Sequence, residues 1–320
     1  MPKVSIVGNT SWGNALGALL SNKGAEVRVW TRSEAEAEES NQVGRSYSFT
    51  GDIVEALDGA DLAVWAVPSQ TLRQNVNQAK DYLTDSMLLV SAVKGLEVGS
   101  GKRMSQVMAE EISPVLRHQI CVLSGPNLAK EISNGLPAAS VMAADDIALA
   151  LRARKLMESA QFLLSTSDDV VGVELGGALK NIIALGAGMI DGLGLGDNAK
   201  GAFVAWGWTE VVSLGVALGA SASTLYGLAG LGDLLATCSS TLSRNHYVGY
   251  ELAKGRSLSD VSASMPHVAE GVVTTMVAQQ LAKHQGLDLP IIKLIHGILF
   301  EGLSPGRALI EFKELAASHR

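Results

Sequence analysis

Two hydrophobic periodicities divide the chain. Through about residue 170, short apolar runs at 4–7, 26–30, 62–67, 87–93, 120–123, 139–143 and 162–164 alternate with helix-compatible segments. Runs this short and β-branched, spaced by amphipathic stretches, predict strands of a parallel, helix-flanked sheet. From about residue 171 the strand signals fade and apolar residues recur at three- and four-residue intervals, which predicts helices. The expected organisation is therefore an α/β domain over 1–170 and an all-α domain over 171–320.

The clearest helical stripe runs through Leu175, Leu179, Ile182 and Ile183. Lys180 shares that helix, and Gly176, Gly177, Ala184 and Ala187 are its neighbours on the wheel. Glycine in a helix costs about 1 kcal/mol relative to alanine. Two in a row beside a lysine predict that something approaches the backbone there. With Asn181 alongside, a bare and crowded patch of this kind desolvates an ammonium, lowers its pKa and yields a usable acid or base. The same spacing also fits a lysine whose stem packs on apolar surface while its head reaches water.

The first strand leads through Gly8-Asn9-Thr10-Ser11-Trp12-Gly13 into an Ala/Leu-rich helix. Strand, glycine turn and helix is the context of a dinucleotide fingerprint, with pyrophosphate on the helix N-terminus. Gly8 and Gly13 hold the outer glycine positions, while Thr10 stands where the middle glycine lets backbone approach the phosphates. Thr10 either shifts the phosphates or donates its hydroxyl to them; a plain strand-to-helix turn also fits. The second strand ends in Thr31-Arg32-Ser33, about 20 residues beyond the turn, where the ribose is read. Arg32 with Ser33 favours a 2′-phosphate and hence NADP, Glu34 keeps NAD open, and a solvated arginine at a strand end is the plain alternative.

Three further strands end in loops suited to a ligand: Val67-Pro68-Ser69, Ala92-Val93-Lys94-Gly95 and Ser124-Gly125-Pro126-Asn127. Ligands of such sheets bind beyond the carboxyl ends of the strands, so Lys94 is a cation delivered to the expected crevice. In the second half, Asp197 or Asn198 is expected to cap the helix carrying Trp206, Trp208 and Glu210. Asp233, with Thr237 four residues on, either caps a helix or faces Lys180. Leu242-Ser243-Arg244-Asn245 offers a hydroxyl, a guanidinium and an amide in succession. That set suits a phosphate if it lies at a turn or helix start; an ordinary cap fits as well. His267-Val268-Ala269-Glu270-Gly271 forms a loop before another amphipathic helix.

Composition narrows the classes. The 320 residues are 47% hydrophobic and 18% charged, which describes a globular chain with a substantial core. Lysine and arginine number 25 against 32 acids, net charge −7, which argues against a nucleic-acid surface. The stretch 211–232 is free of charged side chains, but its Gly, Ser and Thr residues break it, so no membrane span is expected. Cys121 and Cys238 lack a CxxC or His partner spacing and read as core residues of a reducing, cytoplasmic setting. The six histidines are scattered without metal-ligand spacing, so no metal is expected.

The sequence resembles the bacterial-type NAD(P)-dependent glycerol-3-phosphate dehydrogenases over nearly its whole length. The motifs are Ser-Trp-Gly at 11–13, Ser-Ala-Val-Lys-Gly at 91–95, Ser-Gly-Pro at 124–126 and Val-Glu-Leu-Gly-Gly-Ala-Leu-Lys-Asn at 173–181. Gly-Leu-Gly-Asp-Asn at 194–198, Leu-Ala-Gly-Leu-Gly-Asp at 228–233 and Leu-Ser-Arg-Asn at 242–245 follow in order. The resemblance implies a Rossmann-like domain followed by a helical domain like that of 6-phosphogluconate dehydrogenase. It implies reversible hydride transfer between NAD(P)H and dihydroxyacetone phosphate, giving sn-glycerol 3-phosphate for phospholipid synthesis. Lys180 becomes the proton donor and acceptor, with Lys94 and Asp233 also catalytic. Lys94, Gly125, Asn127, Lys180, Asn181, Asp233, Thr237, Ser243, Arg244 and Asn245 would meet the substrate. Gly8, Thr10, Ser11, Trp12, Gly13, Arg32, Lys94, Ala129, Arg244, Val268 and Glu270 would meet the cofactor, NADP in preference to NAD. Thr10 and Asn127 depart from the family's usual glycine and serine or threonine. A homodimer is the expected assembly. A ketopantoate-type reductase and a non-catalytic nucleotide sensor are the competing readings.

Overall fold

A strand of four or five apolar residues cannot cover its own faces, so the runs of the first half line up in one sheet with helices on both sides. The computed structural model describes residues 1–265 and 269–318. In chain order come β1 (Lys3–Val7), α1 (Ser11–Asn22), β2 (Glu26–Trp30), α2 (Glu34–Asn41), β3 (Ser48–Thr50) and α3 (Ile53–Leu57). Next are β4 (Leu62–Trp65), α4 (Leu72–Ala79), β5 (Leu88–Ser91), α5 (Met104–Glu111) and β6 (Ile120–Ser124). A short α6 (Ala129–Ser133), β7 (Ala138–Ala143), α7 (Ile147–Met157) and β8 (Phe162–Ser167) complete the unit.

Strand order is β3-β2-β1-β4-β5-β6-β7-β8, and every neighbouring pair is parallel except β6 with β7. A wholly parallel sheet is what the sequence pattern predicts, and β7 corrects it. The five-residue α6 stands between β6 and β7, and the chain returns beside β6 as an antiparallel strand. The edge strand β3 has three residues and leaves no periodicity to read.

The second half forms α8 (Val170–Gly192), α9 (Gly196–Ala217), α10 (Ala222–Leu225), α11 (Asp233–Ser239) and α12 (Arg244–Ala253). It ends with α13 (Leu258–Ala263), α14 (Glu270–His284), α15 (Pro290–Phe300) and α16 (Pro305–Ser318). No described residue after Ser167 is in a strand. The axis of this unit is α8. It is long and apolar enough to cross a bilayer, yet 94% of that window is buried inside the protein, as α9, α12 and α14 pack around it. Gly188 and Gly249 let α8 and α12 touch through backbone: a Cβ at Gly249 would lie 1.9 Å from the Leu185 carbonyl oxygen.

The uncharged stretch is broken as its composition predicts, through the end of α9, α10 and a π-helical turn at Leu228–Gly232. The expected cap of α9 is corrected. The helix begins at Gly196 after Leu195, with no side-chain cap, and Asp197 sits inside the first turn, 3.5 Å from Lys200. Glu210 is used differently: its carboxylate accepts the Ile291 and Ile292 N–H groups at 2.7 and 2.9 Å and so caps α15.

Candidate active site

The nucleotide end of the crevice is built where β1 meets α1. Gly8 takes φ 125°, a left-handed value open to glycine, and a Cβ at Gly13 would lie 2.2 Å from the Gly8 carbonyl oxygen. Thr10 caps α1: its hydroxyl accepts the Gly13 N–H at 3.0 Å and donates to the Ala66 carbonyl at 2.7 Å. Its proton is therefore committed to the chain after β4 and is not offered to a phosphate. The N–H groups of Ser11 and Trp12 lie in the first turn, where a helix has no internal acceptor for them. Trp12 packs edge-on against Phe162 at 6.4 Å, and half-buried Ala129 opens α6 beside α1.

At the end of β2 the Arg32 side chain is 90% exposed and only loosely paired with Glu36, at 4.0 Å. Ser33 caps α2 by accepting from Glu36 N–H. Glu34 is engaged elsewhere, accepting the Gly51 N–H at 2.8 Å. Free backbone donors, a turn with glycine at both ends and a loosely held guanidinium make a donor set that fits a phosphorylated dinucleotide.

Lys180 lies deeper, with 5% of its surface exposed. The two glycines beside it have the partners their presence predicts. A Cβ at Gly176 would meet the Gly230 Cα at 3.0 Å, and one at Gly177 would meet the Ser124 hydroxyl oxygen at 2.2 Å. Stripped of side chains, this face of α8 presses on β6 and on the π-turn, and water is excluded. The Lys180 ammonium donates to Asp233 Oδ1 at 3.0 Å and to the Thr237 hydroxyl at 2.5 Å. Thr237 in turn donates to the Asp233 carbonyl at 2.6 Å. Lys94, from the loop after β5, donates to the other Asp233 oxygen at 2.6 Å and to the Gly125 carbonyl at 2.7 Å. One buried carboxylate thus joins two ammoniums from opposite units. Burial lowers the Lys180 pKa to about 8, with Lys94 pushing the same way and Asp233 opposing.

Asp233 opens α11 and faces both lysines, so of its two sequence readings the charge partner is the one realised. Cys238, one residue beyond Thr237, is buried and unpaired, and burial pushes its thiol up to about 12. It is a core residue, as is the buried Cys121.

Ser243, Arg244 and Asn245 fall at the start of α12. Ser243 is its cap and accepts from the His246 N–H at 3.2 Å. The Arg244 side chain makes no hydrogen bond or ion pair among the described residues. Desolvation by the surrounding chain lowers its pKa and Glu270 opposes the shift, but the residue is exposed and a guanidinium stays charged regardless. Asn245 is buried, and its amide bonds Gly271 and Asn181. Asn127 accepts from the Ser140 hydroxyl at 2.6 Å, while its Nδ2 is buried without a partner. The Ser124 hydroxyl is buried and unpartnered too. Buried donors without acceptors are uncommon and cost about 1–3 kcal/mol; at the carboxyl end of β6 they line the place for a ligand oxygen.

Glu270 opens α14 and accepts from the Ser69 N–H at 2.9 Å and from the Ser69 hydroxyl. Burial raises its pKa, and the Ser69 bonds and Arg244 pull it back. Val268 and His267 lie outside the described residues. Among the described residues no three His, Cys, Asp or Glu side chains gather as metal ligands.

Sequence reasoning passed over Glu174. It is buried in α8, where it accepts from the Ser105 N–H at 2.7 Å and hydroxyl at 2.6 Å and pairs with Arg103. A carboxylate inside an apolar helix was the available signal. Ser69 and Ser124 stand in strand-end loops already read as suited to a ligand, whereas Ser140, within β7, carried no signal.

Sheet crevice, buried lysine and helical second unit together define a two-domain oxidoreductase of the Rossmann type. The model of the NAD-dependent glycerol-3-phosphate dehydrogenase N-terminus matches residues 3–150, and that of the C-terminus matches 169–310. The chain belongs to this family. It is 50% identical to a glycerol-3-phosphate dehydrogenase [NAD(P)+] of Dehalococcoides mccartyi, over 100% of this chain and 92% of the relative. The crystal structure of a glycerol-3-phosphate dehydrogenase from Coxiella burnetii matches with TM-score 0.91 at 31% identity, covering 98% of this chain and 99% of that one. A 2-dehydropantoate 2-reductase from Geobacter metallireducens reaches TM-score 0.63 at 13% identity over 94% and 100%, a likeness of fold alone.

Proposed function

We propose that the protein reduces dihydroxyacetone phosphate to sn-glycerol 3-phosphate with NADPH or NADH, supplying a backbone for phospholipids, and that Lys180 is its general acid. The observation that carries this is the buried Lys180 ammonium, with its pKa brought to about 8 and its position held by Asp233 and Thr237. An acid tuned close to working pH is the most effective proton donor, and general acid catalysis contributes about 10²–10⁴-fold.

When bound, the reduced nicotinamide supplies the hydride that the substrate C2 receives. The chain supplies the rest. Gly8 and Gly13 let the pyrophosphate come close, and the Ser11 and Trp12 N–H groups cover it. Arg32 takes the 2′-phosphate, which favours NADP, since Glu34 is tied to Gly51. Thr10 holds the turn, and Ala129, Lys94, Arg244 and Glu270 line the remaining cofactor surface. Arg244 anchors the substrate phosphate, with the Ser243 hydroxyl and the remaining Asn245 N–H beside it. Gly125 and the unpaired Asn127 amide hold the triose end. Lys94 and Asn181 polarise the C2 carbonyl, and Lys180 hands its proton to that oxygen as negative charge develops there. In the reverse direction neutral Lys180 takes the proton back.

The proposed division into a nucleotide domain over 1–170 and a substrate domain over 171–320 puts Lys94 and Lys180 on opposite sides of the crevice. A cytoplasmic homodimer completes this reading. The decisive experiment mixes purified protein with dihydroxyacetone phosphate and NADPH or NADH and follows nicotinamide absorbance. Oxidation of NADPH in preference to NADH is expected. A preference for NADH discards the Arg32 role, and folded protein that oxidises neither discards the activity.

A further inference from the structure

The adenosine ribose of a dinucleotide lies between the glycine turn after the first strand and the end of the second, and an acid there accepts its 2′-hydroxyl. Glu34 is the acid the sequence offers for that place, but its carboxylate is taken up by the Gly51 N–H at 2.8 Å. Glu36, two residues further along α2, reaches both segments. Its Oε1 accepts from Asn9 Nδ2, in the glycine turn, at 2.9 Å. Its Oε2 lies 3.4 Å from the Arg32 backbone nitrogen, just past β2, and 4.0 Å from Arg32 Nε. Asn9 is fixed in its turn, because its Oδ1 accepts from Asn14 Nδ2 at 2.8 Å and its Nδ2 also meets Ser40 Oγ at 3.2 Å. The carboxylate therefore spans the gap between turn and strand, with Oε1 committed and Oε2 holding only long contacts. A carboxylate oxygen has two acceptor sites, and 30% of this side chain is exposed, so Oε2 is open to a ligand hydroxyl.

We infer that Glu36 sets the margin of cofactor preference: its Oε2 accepts the 2′-hydroxyl of NAD and meets the 2′-phosphate of NADP with like charge, opposing Arg32. The inference rests on the proposed nucleotide site and deepens it. Arg32 and Glu36 stand side by side with opposite signs, so a phosphate drawn to the guanidinium comes close to the carboxylate as well. The Arg32 side chain is 90% exposed, and water and salt screen what it gains from a phosphate. Glu36 is less exposed and is anchored through Asn9, so its charge is the better placed of the two. NADP is then preferred by a narrow margin and NAD is still bound.

The test is Glu36→Gln, read as binding of NADP+ and of NAD+ by titration calorimetry with no substrate present. Glutamine keeps an oxygen for Asn9, so the turn stays braced, and puts a neutral amide where Oε2 stood. NADP+ should bind about two- to fivefold tighter, the effect of removing one partly exposed like charge. NAD+ should bind about threefold weaker, because a charged acceptor gives way to a neutral group. The ratio of the two dissociation constants should therefore move about tenfold towards NADP+. A ratio within about threefold of wild type overturns the inference. That holds if both affinities move together, which would make Glu36 a brace for Asn9 alone, and equally if neither moves. A shift towards NAD+ overturns it as well. Failure of the wider reading looks different. Protein that binds both nucleotides without reducing dihydroxyacetone phosphate loses the proposed reaction and leaves this ratio readable. Arg32→Ala should weaken NADP+ and spare NAD+; if it does neither, the Arg32 role falls while Glu36→Gln still decides its own. Wild-type protein that binds neither nucleotide discards the site and the inference together.

Discussion

At Lys180 three effects act on one ammonium: burial and Lys94 disfavour its charge, and Asp233 favours it. Burial wins, and the pKa falls from 10.5 to about 8. The sign of the stability effect follows. Between about 8 and 10.5 the unfolded chain binds a proton that the folded chain does not, so this group adds stability as pH rises through that window and none below it. With Lys180 as the proposed acid, catalysis follows the protonated form in reduction and the neutral form in oxidation. With saturating cofactor, kcat/KM for dihydroxyacetone phosphate should decline above about pH 8, and that for sn-glycerol 3-phosphate should climb toward it. Lys180→Ala should abolish both inflections along with most of the rate; a retained inflection would assign the titration to another group. At this scale the sequence was informative wherever chemistry was unusual, as with a lysine between glycines. It was silent on the orientation of Asn181 and Asn245, because that depends on a backbone N–H from a helix 26 residues further on.

Element α8 was legible because its apolar stripe is long, and its glycines told of a close neighbour without naming it. The neighbour is Ser124 at the end of β6. Gly177→Ala sets two effects against each other: alanine favours the helix by about 1 kcal/mol, while its Cβ would sit 2.2 Å from a buried hydroxyl oxygen. Overpacking of a tight core costs about 1–3 kcal/mol and should win, so urea melts should show lower stability. Ser124→Ala in that background should restore it to wild type or above. The Ser124 hydroxyl has no partner to lose, and its Cβ would stand 3.4 Å from the new methyl. If the second substitution rescues nothing, β6 is not what the glycine accommodates. Other elements were illegible for physical reasons. A three-residue β3 has no period, and nothing within the β7 run encodes its direction. The α9 start misled because a helix can begin at Gly196 with its first acid inside the turn rather than capping it.

Across the described residues, polar side chains of the sheet unit reach into the helical unit from Lys94 to Asp233, from Ser69 to Glu270, and from Arg103 with Ser105 to Glu174, among others. The first two belong to the crevice. The third lies on α8, six residues before Lys180, and its carboxylate pKa is raised by burial despite the Arg103 charge beside it. Its role should be alignment. Glu174→Gln keeps an oxygen for the Ser105 N–H but leaves the Arg103 guanidinium, with 17% of its side chain exposed, without a counter-charge. Breaking a fully buried pair costs about 3–5 kcal/mol, and the partial exposure of Arg103 brings the expected loss nearer 2. Adding Arg103→Met removes the stranded charge and should recover most of that stability. Activity should not return with it. Lys94 and Arg103 lie in the same loop between β5 and α5, which Arg103, with Ser105 at the start of α5, joins to Glu174 on α8. The double variant should therefore melt close to wild type yet keep a lowered kcat/KM for dihydroxyacetone phosphate. Recovery of rate together with stability would show that the contact serves folding alone.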